Sequence, residues 1–329
     1  MVERRAWGLV VVATVLWAAC RDPLPVGSDG RPIFRIGYMP NLTHAPALYA
    51  IEAGLFEKAL GPDAVVRYRP FTAGPSVVEA VLAGELDVAF LGPNPAINAY
   101  YVSSGEAVRV VSGSAIGGAQ LVVLPEVDEP RDLLGQRLAT PALANTQDIT
   151  ARIWLREQGI EEGKGDDEVE ILPIPPSEVL NLFQRRQVAG AWLPEPWSSR
   201  LVVERGGRVL VDEASLWPEG RFPTTVVIAT VHALRRRREL VARFLRAHEQ
   251  AISELNASVD ARILVRRRIE EDLGLVLPPE VVERAYAKLE FSSDLLVAAM
   301  VELARRAEKL GYLRMNRPIE PMFAPDLAP

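Results

Sequence analysis

The sequence predicts an α/β protein with two lobes, and three observations support this prediction. From Ile33 to Ala229, short runs rich in β-forming residues alternate with helical patterns, as in parallel sheets whose strands are joined by helices. From Ala233 to Leu313 the pattern is helical throughout. The 329 residues also exceed the size, about 250–300 residues, at which one hydrophobic core stops growing. We therefore expect two lobes, each a mainly parallel sheet flanked by helices.

The first lobe begins with four predicted strands and the helices between them. A helix over 44–60 is indicated by Leu48, Ile51 and Leu55, which fall on one stripe, and a second helix ends at Gly84. A third helix begins near Pro95. The predicted strands of this part are 33–38, 65–69, 86–91 and 108–112.

The second lobe is predicted to start near Gly118 and to repeat the same order of strand, loop and helix. A strand over 224–229 then returns the chain to the first lobe. After Arg317 the sequence contains four prolines, which predict an extended, peripheral tail over 314–329. The predicted elements of the second lobe are strands 120–124, 137–140, 169–172 and 189–193, with helices 146–159 and 177–187.

The N-terminus has the pattern of an export signal. Arg4 and Arg5 precede an apolar run that ends at Ala18-Ala19, which is too short for a spanning helix and typical of a signal peptide over 1–19. Cys20 follows directly, as in a bacterial lipoprotein cleavage box, although Trp17 occupies the usual leucine position. We expect lipidation of Cys20 and a tether over 20–32. The alternatives are an ordinary cleaved signal before a stray thiol, and an anchor that is never cut.

The composition is that of a soluble globular protein, with 49% hydrophobic and 24% charged residues. A net charge of −6 argues against nucleic acid as a partner, because phosphate binding needs a basic face. The arginine runs 235–238 and 266–268 are flanked by acidic and apolar residues, which indicates solvated helix faces. Cys20 is the only cysteine, so no intrachain disulfide can form.

The binding site is expected in the loops beyond the carboxyl ends of the strands, where helices begin. Helix N-termini offer unpaired N–H groups and attract anions. None of these loops contains Arg or Lys, although a dianionic phosphate would normally recruit Arg, so we expect a monovalent oxyanion such as a sulfonate, or a neutral polar ligand. The loops are 39–44, 92–96, 112–118, 140–148 and 194–198.

Each polar residue in these loops also has a purely structural interpretation. Asn94, or Thr146 together with Asp148, would serve equally well as a helix cap. Gly117 would serve a turn or a crossing between lobes. Trp197 would serve the core as readily as a ligand platform.

Four strings, in matching order and spacing, resemble the substrate-binding proteins of ABC importers for aliphatic sulfonates, taurine and nitrate. The resemblance extends over about 33–313, and the tract 71–76 followed by 84–88 adds to it. The strings are IGYMPNLTHA at 36–45, GPNPAIN at 92–98, NTQD at 145–148 and PEPW at 194–197.

The resemblance implies the type II periplasmic-binding-protein fold, in which two lobes joined by two crossing segments close on the ligand like a hinge. It places the first lobe at 33–118 plus 229–313 and the second at 119–228. The residues that it places at the cleft are Asn41, Thr43, His44, Pro93, Asn94, Ser114, Gly117, Thr146, Gln147 and Glu195, with Trp197 beside them.

Two of these residues have open roles. Glu195 would repel an anion unless protonated or paired, so it either braces the hinge or contacts an amine or heterocyclic N–H of the ligand. His44 either donates to an oxyanion when protonated or serves as a neutral hydrogen bonder at a helix start.

The expected function is capture of a small organic oxyanion, an aliphatic sulfonate or taurine or else nitrate, outside the cytoplasmic membrane. Delivery would be to a permease and an ATPase on separate chains, with the protein a lipid-anchored monomer that needs no cofactor or metal. An alternative keeps the importer role for a pyrimidine or other thiamin-precursor heterocycle, stacked on Tyr38 and Trp197. Further alternatives are a lyase on the same fold, which no catalytic motif supports, and a ligand sensor for a membrane receptor.

Overall fold

The computed structural model describes residues 25–324. The expected signal peptide and the lipidation site Cys20 lie outside the described residues, as does the end of the C-terminal tail. Over 25–324 the chain forms two six-stranded sheets, each flanked by helices. No helix in this range is long and apolar enough to cross a membrane.

The first sheet has the strand order β12-β4-β11-β3-β1-β2. β1 is parallel to β2 and β3, whereas β11 is antiparallel to β3 and β4. The strands of this sheet are β1 (Ile33–Tyr38), β2 (Val65–Pro70), β3 (Val88–Leu91), β4 (Val108–Gly117), β11 (Pro223–Thr230) and β12 (Leu289–Phe291).

The second sheet has the order β10-β5-β9-β6-β8-β7. β6, β8 and β9 supply its parallel centre, and β5 and β10 form an antiparallel edge. Its strands are β5 (Ala119–Val123), β6 (Arg137–Thr140), β7 (Glu161–Glu162), β8 (Glu168–Pro173), β9 (Gly190–Pro194) and β10 (Arg208–Asp212).

The helices that follow the parallel strands begin where each strand has just ended, which brings their N-termini to the same edge of each sheet. The helices of the first half are α1 (Ala45–Glu52), α2 (Leu55–Leu60), α3 (Gly74–Leu82), α4 (Pro93–Val102), α5 (Thr146–Glu157), α6 (Pro176–Gln184) and α7 (Trp197–Arg205). Those of the second half are α8 (Val231–Arg236), α9 (Arg238–Ala257), α10 (Val259–Leu273), α11 (Pro279–Tyr286) and α12 (Val297–Lys309).

Apolar clusters cover both faces of the first sheet. On one face, Phe56 of α2 stacks on Phe244 of α9 with ring centroids 4.8 Å apart, and Phe90 of β3 packs beside them. The cluster on the other face includes two isoleucines of α5, Ile149 and Ile153, although α5 follows a strand of the second sheet. The two lobes are therefore joined by shared packing as well as by the chain.

The prediction of mainly parallel sheets is only half right. The second sheet has a parallel centre, but in the first sheet β4, β11 and β12 pair with other strands only in antiparallel fashion. The pattern of buried residues in a central strand is the same for either direction, so the sequence alone does not distinguish them. The sheets are mixed.

The predicted boundary between lobes is misplaced at its second crossing. All of β11 pairs with β3 and β4 of the first sheet, so the chain returns to the first lobe before Pro223 rather than at residue 229. The predicted helix 44–60 is also two helices, because Gly54 interrupts it with a φ of 64°. The expectation of helix throughout 233–313 missed β12, which is only three residues long.

The prolines predicted a peripheral C-terminal segment, but part of this segment is buried. Ile319 and Met322 are buried in the first lobe, and Phe323 pairs with Val110 of β4. These apolar residues hold the described end of the chain against the sheet.

Candidate functional site

A cavity of about 150 Å³ lies between the two lobes. Its lining from the first lobe includes Met39, Pro40, Asn41, Thr43, His44, Phe71, Thr72, Ala73, Gly74, Gly92, Pro95, Thr224 and Leu273. Its lining from the second lobe includes Pro141, Asn145, Thr146, Gln147, Pro175, Pro176, Ser177, Pro194 and Trp197. None of these side chains is an Asp, Glu, Lys or Arg.

Helix N-termini from both lobes converge on this cavity. α3 begins at Gly74 and α4 at Pro93 in the first lobe, while α5, α6 and α7 begin at Thr146, Pro176 and Trp197 in the second. The first backbone N–H groups of each helix have no partner within the helix and carry the positive end of its dipole. The cavity therefore favours an anion without placing a cationic side chain beside it.

Six of the predicted site residues line the cavity: Asn41, Thr43, His44, Thr146, Gln147 and Trp197. They come from three different loops and both lobes. The other five predicted residues, Pro93, Asn94, Ser114, Gly117 and Glu195, are not part of the lining.

His44 is the one titratable side chain in the lining. It is buried, and its Nδ1 accepts a hydrogen bond from Met39 N at 3.3 Å. Burial lowers the pKa of His44 to about 3, so the imidazole is neutral at physiological pH and carries its hydrogen on Nε2. Of the two roles predicted for His44, these features favour the neutral hydrogen bonder at a helix start.

Gln147 has a buried amide whose nitrogen is unused. Only 5% of the residue is exposed, and Nε2 has no hydrogen-bond partner among the described residues. A buried donor without a partner is costly, by about 1–3 kcal/mol, and a ligand oxygen would satisfy it. Gln147 is therefore the side chain in the lining best prepared to bind a ligand.

Asn94 joins the lobes to each other rather than facing the cavity. Its Nδ2 donates to Ala144 O at 2.8 Å, and its backbone N donates to Thr146 Oγ1 at 3.3 Å. Both acceptors belong to the loop that leads into α5 of the second lobe. Thr146 thus contacts the cavity and the opposite lobe at once.

Glu195 is turned away from the cavity and holds the start of α7. Its carboxylate accepts from Ser199 Oγ at 2.8 Å and from Ser199 N at 3.1 Å, in a buried position where desolvation raises its pKa. Its backbone N donates to Gly118 O at 2.8 Å and its carbonyl accepts from Leu42 N at 3.1 Å. These bonds fit the predicted brace better than a ligand contact.

Gly117 lies at the crossing between the sheets, whereas Ser114 lies within β4, so the predicted loop 112–118 is strand as far as Gly117. Gly117 and Gly118 have φ values of 72° and 71°, a conformation that glycine adopts without strain, and Thr224 Oγ1 donates to the Gly117 carbonyl. Ser114 is buried, and its Oγ has no partner among the described residues.

Several lining residues were missed by the sequence prediction. The loop over Phe71–Gly74 follows β2, and the loop over Pro175–Ser177 follows β8. Both loops follow the carboxyl end of a strand and lead into a helix, which is the criterion by which the other loops were predicted. Leu273 ends α10, and no sequence signal marks it.

No group of three His, Cys, Asp or Glu side chains within residues 25–324 is arranged to hold a metal ion. The lining instead combines uncharged donors with apolar walls from Met39, Phe71, Trp197 and Leu273. Such a surface can bind a small molecule that has one anionic end and one apolar end.

A family model described as the NMT1-like family matches residues 30–267. The taurine-binding periplasmic protein of Escherichia coli is 30% identical over 171 residues, which cover 51% of this chain and 49% of that protein. The match thus spans about half the length of that relative.

Solved structures share the fold. The alkanesulfonate-binding protein of Xanthomonas axonopodis pv. citri bound to MOPS gives a TM-score of 0.71 at 20% identity, covering 90% of this chain and 99% of that chain. The periplasmic nitrate-binding protein of Synechocystis gives 0.72 at 14% identity, covering 90% and 86%. These neighbours confirm the two-lobed periplasmic-binding-protein fold, and the relatives confirm the resemblance that the four strings predicted. Because the family match spans more than half of the sequence, this chain belongs to the NMT1-like family.

Proposed function

We propose that this protein is the extracytoplasmic solute-binding component of an ABC importer. It captures a small molecule between its lobes by hinge closure and delivers it to a permease whose ATPase is a separate chain. The observation that carries the proposal is the cavity lined from both lobes by helix N-termini and uncharged donors. The periplasmic binding relatives support the same role. The protein acts by binding and not by catalysis.

The ligand class that fits this cavity is an organic sulfonate with an uncharged substituent. A sulfonate carries one diffuse negative charge. Uncharged N–H donors such as the Gln147 amide can hold this charge without an arginine. The ammonium group of taurine would be buried without a carboxylate in the lining, at a cost of several kcal/mol. Nitrate would leave most of a 150 Å³ cavity and its apolar walls unused.

The alternative of a heterocyclic ligand relied on stacking against Tyr38 and Trp197, and Tyr38 is not available for stacking. Tyr38 is fully buried, and its hydroxyl donates to Asp272 at 3.1 Å and accepts from Arg268 at 2.7 Å. Trp197 does line the cavity, together with Phe71. A pyrimidine ligand therefore remains an outcome that the following experiment can detect.

Thermal unfolding in the presence of candidate ligands tests the proposal. The panel is ethanesulfonate, butanesulfonate, taurine, nitrate, phosphate and hydroxymethylpyrimidine. A ligand at about 100 times its Kd stabilises a binding protein by about 2.7 kcal/mol, which is readily measured. We expect stabilisation by the alkanesulfonates and little from taurine or nitrate. Stabilisation by the pyrimidine alone would favour the heterocycle, and no stabilisation by any ligand would contradict the binding role.

Gln147→Ala should weaken alkanesulfonate binding by tenfold or more, because it removes an unpartnered buried donor of a residue that lines the cavity. A hydrogen bond to a charged group contributes about 1.5–3 kcal/mol. Isothermal titration calorimetry measures the change. Gln158→Ala is the matched control, since Gln158 is exposed at the other end of the same helix. Equal affinity in both variants would remove Gln147 from the binding site.

We further propose that the protein is exported as a monomer and anchored to the membrane by lipid at Cys20. Cys20→Ser should move it from the membrane fraction to the soluble fraction, as measured by fractionation and immunoblotting. Retention of the variant in membranes would favour the uncleaved anchor.

A further inference from the structure

Glu213 is a buried acid in the segment that links the second sheet to the first. It follows β10 directly, and only 1% of the residue is exposed. Its Oε1 lies 2.9 Å from Thr150 Oγ1, and its Oε2 accepts a hydrogen bond from Trp192 Nε1 at 2.9 Å. Both partners are uncharged. The binding proposal above assigns no role to this carboxyl group.

The hydrogen bonds around Thr150 indicate that Glu213 carries a proton. The Thr150 hydroxyl has one hydrogen but lies near two acceptors, Glu213 Oε1 at 2.9 Å and Thr146 O at 3.0 Å. If Glu213 is protonated, it donates to Thr150 Oγ1, and Thr150 then donates to Thr146 O. With an ionised Glu213 the Thr150 hydroxyl can satisfy only one of the two acceptors.

The charged groups on the surrounding elements do not neutralise Glu213. The adjacent acid Asp212 bonds Gln120 Nε2 at 3.0 Å and lies 3.5 Å from Lys288 Nζ. On α5, Asp148 and Arg152 pair with each other at 3.0 Å. The other strands packed nearby, β5 and β9, contain no charged residue, and Gln120 is their one polar side chain.

Burial, with a smaller contribution from the charge of Asp212, raises the pKa of Glu213 to about 7, against the lowering effect of the Thr150 and Trp192 hydrogen bonds and of the neighbouring Gln147 amide. Glu213 therefore changes its charge near physiological pH.

Glu213 is linked to the cavity through the first turn of α5. Thr146 and Gln147 both line the cavity, and Glu213 lies behind them on the side of Thr150. An anion in the cavity would be repelled by an ionised Glu213 across the first turn of α5. Binding of the anion and protonation of Glu213 should therefore favour each other.

We propose that Glu213 couples anion capture to protonation, so that the cleft binds its ligand more tightly when Glu213 is protonated. This inference rests on the anion-binding function proposed above. Glu213 acts as a positioning residue, because it touches α5 and not the ligand.

Affinity for ethanesulfonate, whose charge does not change in this range, should be measured from about pH 5.5 to about pH 8.5. We expect a fall of about tenfold as pH rises, which corresponds to one pH unit of difference between the pKa of Glu213 in the free and bound protein. Glu213→Gln mimics the protonated acid, since its amide donates to Thr150 and its carbonyl accepts from Trp192. This variant should keep the low-pH affinity at every pH. Asp212→Asn is the control and should keep a pH dependence, with its midpoint moved to lower pH because the charge of Asp212 is gone.

A second measurement needs no ligand. Because Trp192 bonds Glu213 directly, its fluorescence should titrate with a midpoint near 7 in the wild type and lose that transition in Glu213→Gln. If ethanesulfonate does not bind but the fluorescence titrates, the proposed function fails while protonation of Glu213 stands. A constant affinity across this pH range, or an unchanged pH dependence in Glu213→Gln, would overturn the coupling.

Discussion

Gly92→Ala should weaken ligand binding by about tenfold to a hundredfold while leaving both lobes folded. The backbone of Gly92 has φ −66° and ψ 155°, which alanine adopts without strain. An added Cβ, however, would lie 2.4 Å from Thr146 Oγ1 of the opposite lobe. Overpacking of this kind costs about 1–3 kcal/mol, and here the cost falls on the closed arrangement of the lobes.

A double-mutant cycle identifies the cause of this loss. In a Thr146→Ala background the clashing hydroxyl is absent, so adding Gly92→Ala should cost little further affinity. Calorimetry on the four proteins gives the coupling, and small-angle X-ray scattering shows whether Gly92→Ala keeps the lobes apart with ligand present. An equal loss in both backgrounds would mean that the contact between Gly92 and Thr146 does not limit closure.

Asp87→Asn should destabilise the fold by about 3–5 kcal/mol, because it leaves a buried arginine without its counter-charge. Asp87 Oδ2 lies 3.1 Å from Arg237 Nη1 and accepts from Arg35 N at 2.8 Å. Asp87 is fully buried, and only 2% of the Arg237 side chain is exposed. Urea denaturation followed by circular dichroism measures the loss.

The matched control for Asp87→Asn is Glu85→Gln in the same loop. Glu85 pairs with Arg69, but about half of each side chain is exposed, and such pairs contribute only about 0–1 kcal/mol. Ligand affinity of the folded Asp87→Asn protein should be unchanged, because Asp87 precedes β3 whereas the cavity lies beyond its other end, at Gly92. Equal stability of the two variants would show that the buried pair is not needed.

The position of the cavity could be predicted because it follows from strand direction. Loops after β1, β3, β6 and β9 were identified by the change from a buried run to a helix start, and each contributes to the lining. The loops after β2 and β8 were omitted, although the same rule applies to them. Leu273 could not be predicted as a lining residue, because it comes from a helix that is distant in sequence.

The direction of each side chain could not be predicted, because it depends on partners in the other lobe. Asn94 sits at the start of α4, as expected, but its amide is taken by Ala144 O. Glu195 lies in the predicted loop, but Ser199 holds its carboxylate. Loop sequences fix which groups are available, and tertiary contacts fix which of them remain free for a ligand.

The packing of α5 constrains how a ligand can enter. Ile149 and Ile153 of this helix are buried in the apolar cluster of the first lobe, and fully exposing each would cost about 1.5–3 kcal/mol. A wide separation of the lobes is therefore unfavourable, and the cavity should open by a small tilt about α5. A narrow entrance of this kind would exclude bulky solutes before any donor in the cavity contacts them.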